Sequence, residues 1–224
     1  MWSADRKLEL LTYRSPTTSA QIRQHEVRNP LSKGFWAFLS LTPLPDEFGA
    51  LLLNSPKMNL FLRWNRFTIP EKAFVQCIKL KTFDLSGYTY LRSIGKDAFQ
   101  ECTALETVDL SRCEKLESIG ESSFSGCKRL KTINLEECVD LTSIGESAFE
   151  TCTGLKTVDL SSCAKLKSIG DYAFKACTNL LSLDLSECAK LKSIGDDVFE
   201  GCTSLNKSTK AAVSKITTFE QTAA

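Results

Sequence analysis

The sequence predicts an α/β repeat solenoid: coils of 25 residues stacked on one another, with a parallel sheet on the concave face and short helical turns outside. Three observations predict it. Phe returns every 25 residues, at Phe74, Phe99, Phe124, Phe149, Phe174 and Phe199. Cys returns in the same register from Cys77 to Cys202, and a second series runs Cys113, Cys138, Cys163, Cys188. An Ile-Gly pair also returns, with its glycines at Gly95, Gly120, Gly145, Gly170 and Gly195. A unit this short cannot bury its apolar face alone, so a fixed period without slips means stacked neighbours sharing one core.

Each part of a unit has a physical reason. In Leu105-x-x-Val108-x-Leu110 the final alternation turns Val108 and Leu110 to one face, as in a short strand. In Leu116-x-x-Ile119-Gly120 the glycine suits a turn with positive φ. From Glu121 to Cys127, Phe124 and Cys127 lie three apart, which predicts a short helical turn.

The ends depart from the pattern. Residues 57–205 form the array, residues 1–56 a non-repeat arm and cap, and residues 206–224 a C-terminal cap or frayed tail. Tyr88 replaces the second Cys and Pro70 replaces the glycine in the first unit. A polar cap is expected there, because a solenoid end otherwise leaves its core open to water. After Pro45, Asp46 is a candidate N-cap for a short helix over Phe48 to Leu53. Ser208 and Lys210 stand where strand apolars are due, and Ala212, Val213, Ile216 and Phe219 have the spacing of an amphipathic helix closing the end.

The pattern Leu-x-x-Ile-Gly-x-x-Ala-Phe-x-x-Cys-x-x-Leu, as in Leu91 to Leu105, resembles the BspA-like leucine-rich repeats. The second Cys, in Leu110-x-x-Cys113-x-x-Leu116, resembles the cysteine-containing leucine-rich repeats often found after F-box motifs. Leu44-Pro45-Asp46-Glu47 is similar to the start of an F-box. The resemblance implies a curved solenoid used for protein recognition or adhesion, with no catalytic residues.

Composition narrows the function. With 28 Lys+Arg against 27 Asp+Glu, the net charge of +1 gives no field of one sign for nucleic acid or a membrane surface. The most apolar run, Phe35 to Leu41, is far short of the roughly 20 residues of a spanning helix. The start, Met1 to Thr12, lacks the apolar core of a secretory signal, so an intracellular and cytoplasmic chain is expected. Organellar import stays open: Arg14, Arg23 and Arg28 lie among Ser and Thr, but Asp5, Glu9 and Glu26 oppose it.

The ten cysteines allow three readings. Zinc needs short local spacings, whereas these alternate between 11 and 14 residues and His25 is distant. Disulfides between coils need a specific geometry and an oxidising compartment. The favoured reading is small buried thiols at tight corners, available to hydrogen-bond turn backbone. The chain has one His, no phosphate-binding glycine loop and no Ser-His-Asp set, so no catalytic, cofactor or metal residues are assigned.

What remains is a face. Asp84, Asp109, Asn134, Asp159 and Asp184 each stand between inward apolar residues and should point outward as a ladder about 4.8 Å per step. Lys81, Glu106, Lys131 and Lys156 flank it, and all nine are candidate partner-binding residues. Lys165, Lys167, Lys190 and Lys192 form a second series that reads as a solvated face. The expected partner is a protein, with the chain a structural or scaffolding subunit of a larger assembly. The alternatives are an F-box-like substrate adaptor and a cell-surface adhesion repeat.

Overall fold

The computed structural model describes residues 67–222, Gly87 excepted, with side chains through Ser214. The predicted arm at 1–56, its helix after Asp46 and the Leu44–Glu47 segment lie outside the described residues.

Coil 1 spans residues 67–90, coils 2 to 5 follow as 91–115, 116–140, 141–165 and 166–190, and coil 6 begins at Leu191. Coils 1 to 5 each carry two short strands and coil 6 carries one. The first strands are β1 (Thr68–Ile69), β3 (Ser93–Ile94), β5 (Ser118–Ile119), β7 (Ser143–Ile144), β9 (Ser168–Ile169) and β11 (Ser193–Ile194). They pair in parallel as one six-stranded sheet in the order β1-β3-β5-β7-β9-β11. The second strands are β2 (Thr82–Asp84), β4 (Thr107–Asp109), β6 (Thr132–Asn134), β8 (Thr157–Asp159) and β10 (Ser182–Asp184). These form a three-stranded sheet β2-β4-β6 and a separate pair β8-β10. The predicted fold class stands: parallel strands stacked at a 25-residue period, with little helix.

The period places like on like in the core. Phe99, Phe124, Phe149 and Phe174 have no exposed surface, and consecutive rings from Phe74 to Phe199 stack at 5.0–5.8 Å. Both cysteine columns and the leucines beside them are buried as well. Each such Phe contributes about 2–3 kcal/mol of apolar burial.

Two local expectations are corrected. The segment after each Ile-Gly is not a helical turn. Ala98 N donates to Gly95 O and Cys102 N to Phe99 O, three residues back, but Asp97 and Glu101 have φ of +54° and +58°. A positive φ at the third residue is the mark of a type II turn. Alternate N–H groups then leave the coil: Asp97 N, Phe99 N and Glu101 N donate to Glu121, Ser123 and Ser125 O in the next coil. A helix would keep those donors to itself; here they hold neighbouring coils together, offsetting the cost of left-handed non-glycine residues.

The glycines after Ile are also not there for positive φ. Among the described residues the positive-φ glycines are Gly126 and Gly201. A Cβ on Gly120 would lie 2.6 Å from Ile94 O and 2.8 Å from Gly95 C, and one on Gly145 would lie 2.6 Å from Glu121 N. These glycines permit the close approach of coil to coil.

The path of the repeat ends at Asn206, whose N–H still bonds Leu181 O as in the coils before it. Then α1 (Lys207–Thr222) begins. Asn206 caps it, its Oδ1 accepting from Thr209 N at 2.8 Å. Buried Thr209 places Oγ1 3.2 Å from Leu183 N and 3.4 Å from Leu183 O, satisfying the open edge of β10. Ala212 and Val213 lie on this helix, half-buried.

Candidate protein-binding face

The second strands set the face. Their register pairs Thr82 with Thr107 and Asp84 with Asp109, then Thr107 with Thr132 and Asp109 with Asn134. Thr157 and Asp159 pair with Ser182 and Asp184. Phe83, Val108, Ile133, Val158 and Leu183, at the middle of each strand, point into the core. The flanking residues therefore point out, and the structure brings the predicted ladder together in two stretches.

The ladder carboxylates are not idle. Asp84, Asp109, Asp159 and Asp184 each accept the N–H of the serine two residues on at 2.8–2.9 Å, and Asn134 does the same for Glu136 at 3.0 Å. Such Asx turns close the strand and start the next corner. The Ser161 hydroxyl, then its backbone N–H, hold Asp159 below the usual carboxylate range. The second oxygen of each aspartate can still accept from a partner, since an ionised carboxylate accepts several bonds. The turn pattern was readable in Asp-x-Ser, which returns four times.

The flanking charges bridge coils. Lys131 Nζ is 2.7 Å from Glu106 and Arg129 is 3.6 Å from its other oxygen. The Lys131 bond holds Glu106 below its ordinary value. Lys81 and Lys156 are exposed at the same position of their coils. On another edge Asp140 receives Lys165 at 2.7 Å and Lys115 at 3.2 Å, which lower its pKa in that order. Of the second lysine series, Lys165 thus belongs to a three-coil bridge, and Lys167, Lys190 and Lys192 are exposed. Sequence reading missed these bridges, although opposite charges 25 residues apart announce them. Exposed pairs of this kind contribute little individually.

All ten thiols are free and buried. In the first column Cys102, Cys127, Cys152, Cys177 and Cys202 donate to carbonyls 28 residues back at 2.9–3.1 Å. In the second, Cys113, Cys138 and Cys188 do so at 3.3–3.4 Å. Burial pushes Cys113, Cys127 and Cys163 up to about 12. A protonated, hydrogen-bonded thiol is neither nucleophile nor ligand. No cluster of three or more His, Cys, Asp or Glu able to hold a metal is found among the described residues.

Stacked parallel coils with a leucine core and an exposed strand face define a leucine-rich-repeat protein. The chain belongs to the BspA type leucine rich repeat family, with six copies across residues 92–223. Among solved structures it is similar to a leucine-rich repeat protein of T. pallidum, at 29% identity and TM-score 0.48, covering 67% of this chain and 76% of that one. It is also similar to a leucine-rich repeat protein of Bacteroides ovatus, at 25% identity and TM-score 0.45, covering 62% and 39%. A leucine rich cell surface protein of Faecalibacterium prausnitzii matches at 23% and 0.43, covering 62% and 41%. The chain spans about two-fifths of the length of the last two. No curated protein matches. Leucine-rich repeats of this kind generally mediate protein interactions and are typically non-catalytic. No described helix is long and apolar enough to cross a membrane.

Proposed function

We propose that this chain is a non-catalytic protein-interaction module, a scaffolding subunit that docks an extended protein partner along the Thr-x-Asp face. One observation carries the reading: short polar side chains return in register on successive coils, from Thr82 and Asp84 to Ser182 and Asp184. A long uniform surface suits a partner that runs along it. Asp84, Asp109, Asn134, Asp159 and Asp184 would accept its donors, with Glu106 beside them. Lys81, Lys131 and Lys156 would meet its acidic groups. Ten buried thiols support a reducing, intracellular setting.

The test uses a substitution the repeat already contains. Asn134 shows that Asn keeps the Asx turn. Asp109→Asn, Asp159→Asn and Asp184→Asn together remove three charges and leave the turns intact. The native chain should elute from a gentle extract well above 24.9 kDa, as part of a complex. The triple variant should fold equally well and elute as a monomer. A triple variant that stays in the complex would show that this ladder does not carry docking.

A further inference from the structure

The two strand faces differ between coils 3 and 4. Elsewhere each second strand is held by the same bonds. Lys131 N donates to Glu106 O and Leu181 N to Lys156 O, while Leu110 N donates to Asn134 O and Leu160 N to Asp184 O, all within 2.7–3.0 Å. At the junction of β6 and β8 the equivalent donors, Lys156 N and Leu135 N, make neither bond, and no strand pairing joins β6 to β8. The thiol column breaks at the same place. Cys113, Cys138 and Cys188 reach carbonyls 28 residues back, but Cys163 does not reach Leu135 O.

The rest of that junction is closed. Gly145 N donates to Ile119 O at 2.8 Å, and Ser122 N, Phe124 N and Gly126 N donate across the turn side at 2.8–2.9 Å. At the corner leading into β8, Gly154 comes so near coil 3 that a Cβ there would lie 2.9 Å from Lys128 O and 3.0 Å from Leu130 O. The other coils carry Lys79, Ala104, Arg129, Asn179 and Ser204 at this position. Two coils that touch at one corner and lie side by side without strand bonds along the adjoining seam have the form of a hinge.

From this geometry we infer that coils 3 and 4 form a one-sided hinge, which opens along the β6–β8 seam while the Ser-Ile sheet and the turn side stay closed. The seam divides the face into two stiff blocks, coils 1 to 3 and coils 4 to 6. Under the docking reading above, on which this consequence alone rests, the blocks adjust their angle to a partner. The hinge itself stands without any partner.

Native thiol modification reads the opening. Cys163, Cys113, Cys127 and Cys152 all have 0% exposure, so each reacts only when its surroundings open. Cys113 is the matched control: it holds the same position in its coil, and burial likewise pushes its thiol up to about 12. The folded full chain is treated with iodoacetamide, and each cysteine is followed by peptide mass spectrometry. Cys163 should be alkylated about tenfold faster than Cys113, Cys127 and Cys152, the factor expected for one missing hydrogen bond. A Cys163 rate no greater than that of Cys113 overturns the hinge. So does equal acceleration of Cys127 and Cys152, since that means the coils separate as wholes. Either outcome leaves the docking test unaffected, because that test reads complex size and not opening.

Discussion

The Ser-Ile face and the Thr-x-Asp face are built from the same coils at the same period, yet only the first is continuous. On the Ser-Ile side six strands pair without a break, and each glycine after Ile lets the next coil approach within van der Waals contact of its backbone. On the Thr-x-Asp side the strands end in Asx turns, which satisfy each coil locally and do nothing to hold the next one. One face is clamped at every junction; the other is capped within each coil and clamped at all of its strand junctions but one. Clamping gives stiffness. Capping leaves exposed polar groups in register and permits one junction to part.

The largest expected effect strikes both faces. Cys77 excepted, the buried thiols have pKa values raised above that of an unfolded cysteine, so the stability they contribute is present below about pH 8.5. It is lost as pH climbs toward the folded value of about 12 for Cys113, Cys127 and Cys163. In that window each thiol withdraws about 1.4 kcal/mol per pH unit. The urea midpoint should therefore fall steeply between pH 8.5 and 10, and a flat profile would show the thiols to be solvated.

Gly145→Ala separates the faces. Its Cβ would meet Glu121 N and Gly120 C within 2.7 Å, at the junction where the other face is already unpaired. The expected cost is about 3 kcal/mol, read by urea unfolding. Gly154→Ala at the corner should cost less, since its nearest contact is 2.9 Å against 2.6 Å at Gly145. Smaller again is Asp159→Ala, which removes the acceptor of Ser161 N and should cost about 1 kcal/mol. Asp159→Asn should cost almost nothing, because Asn134 already fills that role in coil 3. Equal losses from both substitutions would mean that charge, and not turn closure, places aspartate in the ladder.

The smallest effect is acid sensitivity. Glu106, Asp140 and Asp159 are held below the ordinary carboxylate range by Lys131, by Lys165 and Lys115, and by Ser161. Their contribution is present above the unfolded carboxylate value near pH 4 and is lost as pH falls through the folded values. Thermal melts from pH 6 to pH 2.5 should show a modest decline that Lys131→Ala reduces. Glu106 and Asp140 are half-buried but their lysine partners are exposed, so salt should blunt the effect.

The comparison also explains what the sequence made legible. Period, core columns and the strand at Thr107–Asp109 follow from apolar spacing, because burial repeats with the chain. The Ser93–Ile94 strand was not read, since two residues give no alternation to detect; the Ser that precedes Ile in coils 2 to 6, and the Thr in coil 1, was its trace. Phe124 and Cys127 have helical spacing, but a turn that donates its N–H groups to the next coil has the same spacing, and only the inter-coil bonds separate the two. The role of the glycines was misassigned for a related reason. Positive φ is a property of one chain segment, whereas the space for a Cβ depends on a neighbouring coil 25 residues away. The outward ladder was legible residue by residue; its engagement in Asx turns and its break after Asn134 depend on backbone positions that composition does not encode.

The account rests on one face being clamped and the other parting at one junction. Residue-resolved amide hydrogen exchange on the full chain tests this directly. The N–H groups of Gly120, Gly145 and Gly170 should be protected to similar degrees, and those of Leu110, Leu160, Lys131 and Leu181 likewise, while Leu135 and Lys156 exchange much faster. Protection of Leu135 and Lys156 equal to that of Leu110 and Leu181 would contradict the account, and the two faces would then be alike.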